Sequence, residues 1–480
     1  MLPATSSLSK LRALSSPSGV TVAQLADHQA LLDTWRQAVR QTLATRHLVT
    51  VACELATLLD GDTESLAVLG VPVDLLDCFP RWRAGLSEPF EPPASRLRLA
   101  PTGAAVAIGT LRLQLSPTPG SIPYALLLLR DLLTTLDAHT SFVVVVEPGA
   151  NVDELSRLAA RFHRDAAARV RFVQLACISV FAQDNAKAAR DRSGQPVLLV
   201  PRAFRRGSLR AEDELDPAQA QQALQVEVRH SRLYWEGGNI IHDDSRCFIG
   251  ADTIAENATR LGLDAAQVTA IFESEFGLPL TVLGRLSDAS FNASEERQTS
   301  SGQASFHIDL DVSLLGTLPR ASRPRALVAD AARGVDFVGD VLAVRRLVTG
   351  HFLPPAQLAR HLRAEYEASA ATRHPRLIEY AETLAAHGYR IFGVPDLRID
   401  PAMDIFQRVS LDFGYCNVLP GLQNNRPSVA HFVSGVRSLD ADASRCMRRA
   451  GVMPIAVSSP EVASALRLLQ GGLRCCCGPI

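Results

Sequence analysis

Apolar residues recur at helical spacing from about Thr21 to Gly61, first as Leu25, Leu31, Leu32 and Trp35 and then as Leu43 and Leu48. Positions three and four apart share one face of a helix, so this stretch predicts a helical segment. The run Phe90-Glu91-Pro92-Pro93-Ala94-Ser95 breaks the pattern and marks the end of a helical extension spanning 21–95. Ahead of it, residues 1–20 are rich in Ser and Pro and hold no continuous apolar run, which reads as a disordered lead-in rather than a signal peptide.

From residue 101 onward the period alternates. Phe142 to Glu147 is a continuous apolar run of strand length, followed by Pro148-Gly149 and an amphipathic helix through Phe162. Further strands are predicted at Arg169 to Ala176, Pro196 to Val200, Arg232 to Trp235, Ser305 to Val312, Tyr389 to Val394, Val409 to Val418 and Val452 to Val457. Helices are predicted from Pro123, and at Gln357 to Ala370, Leu377 to His387 and Ser459 to Leu469. Such alternation ordinarily implies one doubly wound parallel sheet. Here the polar motifs sit at predicted strand ends across the whole of 101–480. That spread points instead to several small αβ units, each delivering one or two groups to a common centre. The chain has no glycine-rich phosphate loop, which removes the main sign of nucleotide binding.

Composition narrows the classes. The 480 residues carry a formal net charge of −1, so nothing favours a polyanion such as nucleic acid. No apolar run approaches the roughly 20 residues that span a bilayer, and a soluble protein without a membrane partner is expected. The nine cysteines are Cys53, Cys78, Cys177, Cys247, Cys416, Cys446 and the terminal Cys475, Cys476 and Cys477. Their scatter lacks both a disulfide-framework spacing and a CxxC pair, which favours the cytoplasm. Lysine occurs only as Lys10 and Lys187.

Candidate chemistry gathers in four places. Gly471-Gly472 lets the backbone fold tightly ahead of Cys475. His307 and Asp309, two apart on a predicted strand, point to the same face, with Asp311 continuing the row. A solvent-facing polar edge is the other reading of these positions. Asp184 follows the strand-like 177–181 and stands either as a turn aspartate or as a functional carboxylate. Glu236, between the aromatic pair Tyr234-Trp235 and Gly237-Gly238, is open to the same two readings. For the terminal cysteines, a prenylation box fits Gly478-Pro479 poorly. Adjacent cysteines are also poor chelators of a single metal.

Together these segments resemble the guanidino-group-modifying enzymes of the pentein superfamily, with agmatine deiminase and bacterial peptidylarginine deiminase-like enzymes the most similar pattern. The family's Asp-bearing segment matches Ile178 to Ala186, its E-G-G matches Glu236-Gly237-Gly238, its H-x-D matches His307 and Asp309, and its C-terminal G-G-x-x-C matches Gly471 to Cys475. The order and wide spacing agree over roughly 101–480. Gln183 replaces the usual Arg before the Asp, and Ala186-Lys187 replaces Gly-Pro. Arg474 stands where agmatine deiminases usually have His, although arginine deiminases can carry Arg there.

The resemblance implies an α/β fold, a five-bladed αβ propeller of pseudo-fivefold units over 101–480, carrying the helical N-terminal extension. It also implies a deiminase turning a guanidino compound into a ureido product and ammonia. Cys475 would be the nucleophile, His307 the proton carrier and Glu236 its orienting partner. Asp184 and Asp309 would clamp the guanidinium. No metal or organic cofactor is needed by that scheme. Two other functions stay open: an amidinotransferase passing the amidino group to an amine, and a catalytically inert pentein that only binds. Lys187, three residues after Asp184, is either a solvated loop residue or a cation at the site mouth. In the second case it would act with Arg474 to favour a substrate with an anionic tail. The N-terminal helices are open to use as a homo-oligomer surface, a lid or a partner-binding module.

Overall fold

The computed structural model describes residues 97–115, 121–146, 149–175, 180–202, 217–292, 297–344, 355–398, 413–457 and 472–480. The lead-in, the helical extension through residue 95 and the helix predicted at Ser459 to Leu469 lie outside the described residues.

The fold is mixed α/β. One arrangement recurs five times in the described chain. A short strand pairs antiparallel with a central strand, and a helical crossover then delivers a third strand parallel to the centre. In one unit Lys187–Arg190 pairs with Pro196–Val200, and Glu227–His230 returns parallel to it after the helix Pro217–Leu224. The next uses Ile240–His242, Cys247–Gly250 and Leu280–Leu283 around the helices Ala251–Leu261 and Ala265–Phe276. Another joins Val312–Gly316 to Arg325–Asp330 and Arg390–Leu397. A fourth joins Leu419–Gln423 to Arg426–Phe432 and Met453–Val457 around the helix Arg437–Arg449. In the remaining unit Thr110–Gln114 and Ser141–Val146 run parallel, and the antiparallel short strand is Gly478–Pro479, from the far end of the sequence. Parallel pairing demands such crossovers, and it buries the central strands on both faces. Accordingly Phe142 to Val146 are all buried.

The alternation of apolar runs located the strands Ser141–Val146, Val170–Gln174, Pro196–Val200, Arg390–Leu397 and Met453–Val457 but not the central strands Thr110–Gln114, Cys247–Gly250, Arg325–Asp330 and Arg426–Phe432, and several small sheets of three or four strands replace the single sheet it ordinarily implies. Three predicted strands are corrected. Of Val409 to Val418, only Phe413–Gly414 is strand within the described part, and the chain from Tyr415 to Val418 is irregular. Arg232 to Trp235 is irregular backbone following the strand Glu227–His230; Leu233 and Trp235 are buried there without a strand ladder. Ser305 to Val312 is a turn containing the 3₁₀ segment Ile308–Leu310, and the strand begins only at Val312. The two helices expected on either side of residues 371–376 are one helix, Pro355–Ala386, with Pro375 inside it. Its buried Tyr366, Leu377, Tyr380 and Leu384 join the core of that unit, and this packing outweighs the local cost of proline. Among the described residues no helix is long and apolar enough to cross a membrane.

Candidate active site

The short antiparallel strand of every unit is entered from a turn, and the five turns meet. Asp184 precedes Lys187–Arg190, Glu236 precedes Ile240–His242, Asp309 precedes Val312–Gly316, Asn417 precedes Leu419–Gln423 and Cys475 precedes Gly478–Pro479. A turn before an edge strand leaves its side chains free of the ladder while the strand fixes where they point. Four of these positions were singled out from the sequence, and the fifth, Asn417, was not.

Cys475 lies at the end of a single helical turn, Leu473–Cys476, and is 1% exposed. Its Sγ is 3.8 Å from Asp309 Oδ2. Asn417 caps that turn: its Oδ1 accepts from the backbone N–H of Arg474 at 2.8 Å and of Cys475 at 3.2 Å, and its Nδ2 donates to Cys475 Sγ at 3.1 Å. Gly472 is required for this contact, because a Cβ there would stand 2.5 Å from Asn417 Oδ1. The predicted role of the glycine pair as a close-approach device holds at Gly472, while Gly471 lies outside the described residues.

His307 and Asp309 face the site from a 3₁₀ turn rather than a strand, so their shared direction comes from the turn. His307 Nε2 donates to Glu236 Oε2 at 2.9 Å, and Nδ1 lies 4.0 Å from Asp184 Oδ1. Gly238 donates its N–H to Asp184 Oδ1 at 2.9 Å, and a Cβ on it would come within 2.3 Å of His307 Nδ1. The E-G-G sequence thus supplies an imidazole partner and a backbone donor, with room for the ring. Phe306, 46% exposed, packs its ring 4.4 Å from the imidazole.

Asp311 does not continue the row. It is fully buried and accepts from Arg373 at 2.9 Å and Arg398 at 2.7 Å. The same two arginines hold Asp396, at 2.6 and 2.8 Å. This four-charge cluster anchors the turn that carries His307 and Asp309. Burial pushes Asp396 up, but the flanking guanidinium groups outweigh it and hold the carboxyl below its usual range.

The electrostatics follow from burial. Asp184 is raised to about 6, first by desolvation and then, against the pull of His307, by Glu236 and Asp309. Desolvation pushes His307 down, but Asp184, Glu236 and Asp309 together overcome it and lift the imidazole to about 9. Burial also raises Asp309. The Cys475 thiol is driven well above its usual range by burial, with Asp309 and Asp184 adding to the effect. Asp309 Oδ1 is buried with no hydrogen-bond partner, while Oδ2 accepts from Gln183 Nε2 at 2.8 Å.

His307, Asp309 and Cys475 are the group of potential metal ligands found among the described residues, with donor atoms within 4.8 Å of one another. A metal needs a neutral imidazole and a thiolate. Burial and the neighbouring carboxylates raise both groups, so a metal binding here would have to displace a proton from each.

Lys187 is not the solvated loop residue of one expectation: it begins a strand, is 4% exposed, and its Nζ donates to Ile240 O at 3.0 Å. Arg474 is likewise buried, and its Nε donates to Gln183 Oε1 at 3.1 Å. Gln183, where the resembled family has Arg, therefore bridges Arg474 to Asp309.

No family model and no curated relative matches the sequence. Solved structures do match the fold. One described as a "putative peptidyl-arginine deiminase" aligns over 80% of this chain and 98% of its own, with 13% identity and a TM-score of 0.50. A "putative agmatine deiminase" aligns over 79% and 94% with 10% identity and a TM-score of 0.48, and an agmatine deiminase of Enterococcus faecalis over 80% and 96% with 11% identity and a TM-score of 0.44. The first of these likenesses places the chain in a mixed α/β fold shared with a structure of that description.

Proposed function

We propose that residues 101–480 form a catalytic unit that deiminates a guanidino compound, such as arginine, agmatine or an arginine derivative, through a covalent Cys475 intermediate. The observation that carries this reading is the buried Asp309 carboxylate, one oxygen unpartnered, beside the Cys475 thiol, with the buried Asp184 carboxylate 4.0 Å from His307 Nδ1. A guanidinium is a planar cation whose N–H groups match two carboxylates in charge and geometry. Seated between Asp184 and Asp309, it presents its central carbon to the sulfur.

The steps follow from the protonation states. The empty site holds the thiol protonated, because buried carboxylates oppose a thiolate. An incoming guanidinium cancels that opposition and lets the thiol release its proton to solvent. The sulfur adds to the guanidinium carbon. His307, already charged, passes a proton to the leaving nitrogen, which departs as ammonia and leaves a thiouronium. The now neutral imidazole takes a proton from water, whose oxygen adds to the same carbon. Collapse expels the sulfur, which takes the hydroxyl proton of the product, so that the neutral ureido product leaves and the thiol and imidazolium are restored. Glu236 keeps the imidazole oriented and charged. Acid–base help of this kind is worth about 10²–10⁴-fold.

In this reading the five units close into a five-bladed ring. The pairing of Gly478–Pro479 with Thr110–Gln114 and the bridge between Ala107 and Leu422 support that closure, since both join distant parts of the sequence. The test is a panel of agmatine, free arginine, arginine peptides and simple guanidines, assayed for ureido product with and without added amines. Ureido product formed by the wild type and lost in Cys475→Ala supports the reading. Transfer to an amine would replace hydrolysis by amidino transfer, and no product from any member would leave a binding protein.

A further inference from the structure

A cavity of about 320 Å³ adjoins the candidate site but does not include it. Its lining contains Gln183, Lys187, His242 and Arg474, and none of Cys475, His307, Asp184, Glu236 or Asp309. The Gln183 amide stands between the two spaces, its Nε2 on Asp309 and its Oε1 on Arg474. The volume sits at the lower end of the roughly 300–1,000 Å³ typical of small-molecule sites.

The polar groups on this side are under-used. Arg474 is 6% exposed and spends only Nε on a protein acceptor; its two Nη groups, four of the five donors of a guanidinium, have no partner. Lys187, 4% exposed, uses one of three N–H groups, on Ile240 O. His242, 2% exposed, has an unpartnered Nδ1. Arg190 adds a further cation among the lining residues, and no Asp or Glu side chain is among them. Desolvation, aided by Arg474, presses Lys187 down to about 7 against the pull of Asp309 and Asp184, neither of which lines the cavity. Burying unpaired charge is costly, and a counter-ion relieves it. Ile108, Leu111 and Leu419 give the wall an apolar stretch beside Thr102 and Thr110.

We propose that this cavity is a second binding site, for a small organic carboxylate whose charged end meets Arg474 and Lys187 and whose short hydrocarbon body lies on Ile108, Leu111 and Leu419. A bare inorganic anion would satisfy the cations and leave the apolar wall uncovered, so the class is carboxylate with a chain. The site is separate from the guanidine site, and its occupancy does not depend on turnover.

The experiment is calorimetric titration of the full chain with butyrate, hexanoate and inorganic phosphate at pH 6, where Lys187 is charged, in constant chloride. Hexanoate is expected to bind saturably and more tightly than butyrate, with phosphate weakest. Lys187→Met removes a cation and keeps the volume, and should weaken hexanoate at least tenfold. Ala188→Leu keeps both cations and narrows the wall, and should weaken hexanoate more than butyrate. Cys475→Ala should bind hexanoate as the wild type does, which separates this test from that of the guanidine reading. Absence of saturable hexanoate binding, phosphate binding more tightly than hexanoate, or equal hexanoate affinity in the wild type and in either cavity variant would overturn the proposal.

Discussion

Replacing Glu236 by Gln probes the acid–base partnership most directly. The substitution keeps the shape and an oxygen that accepts from His307 Nε2, and it removes the negative charge 2.9 Å away. His307 owes its position near 9 to three carboxylates working against desolvation, and Glu236 supplies both a hydrogen bond and a charge. One opposite charge at such a distance typically moves a pKa by roughly 1–3 units. With Asp184 and Asp309 still in place, a fall of roughly 1–2 units is expected, or about 1.4–2.7 kcal/mol. The readout independent of activity is a ¹⁵N-histidine NMR titration, with the His307 signals identified by their loss in His307→Gln. In the wild type the alkaline limb of kcat/KM should fall as pH rises through about 9, because the charged imidazole is the acid. In Glu236→Gln the NMR midpoint and that limb should move down together. The sign extends to stability. A folded value raised above the ordinary 6.5 stabilises the fold fully below pH 6.5 and loses that contribution as pH climbs through about 9. An unmoved midpoint would show that Glu236 does not set the charge on His307, and the mechanism above would lose the role it gives Glu236 in keeping the imidazole charged.

Two further outcomes follow from the same geometry. Asp184→Asn keeps the carboxamide shape and removes one arm of the clamp, so kcat/KM on the best guanidine should drop by orders of magnitude; a loss under about tenfold, roughly 1.4 kcal/mol, would exclude the clamp role. Gly238→Ala places a methyl group where His307 Nδ1 lies, at 2.3 Å, and should reduce kcat on the order of 10²-fold with the fold retained by circular dichroism. Near-normal kcat in that variant would mean that the imidazole position is not critical.

Much of the site was legible because its residues are chemically costly to bury for any other reason. A thiol, an imidazole and three carboxylates in that order led to the same five side chains that the fold gathers. What could not be read was how they are held. Ser305 to Val312 looked like a strand because apolar and polar residues alternate there, yet the buried Ile308 sits in a 3₁₀ turn fixed by Arg373 and Arg398, which lie more than sixty residues away. Trp235 and Leu233 gave a strand signal because apolar burial is the same in irregular backbone as in a ladder. Lys187 is not the loop residue that its place three positions after Asp184 suggested: a strand starts there and carries its Nζ to Ile240. Asn417 gave no signal of its own. It is recognisable only once the chain is seen as repeated units, since it occupies the position that Asp184, Glu236, Asp309 and Cys475 hold in the other four.

The charge cluster beneath the His307 turn has a consequence for how the site opens and closes. Asp311 accepts from Arg373, on the long helix Pro355–Ala386, and from Arg398, just beyond the strand Arg390–Leu397. Peeling the turn away alone would strand two buried guanidinium groups beside a single remaining carboxylate, and breaking a buried pair in this way costs about 3–5 kcal/mol. Local fraying of the turn is therefore disfavoured, and its amides exchange with solvent only when the surrounding helix and sheet open with it. A turn tied in this way to a helix and a strand favours a preformed site over one assembled by the ligand.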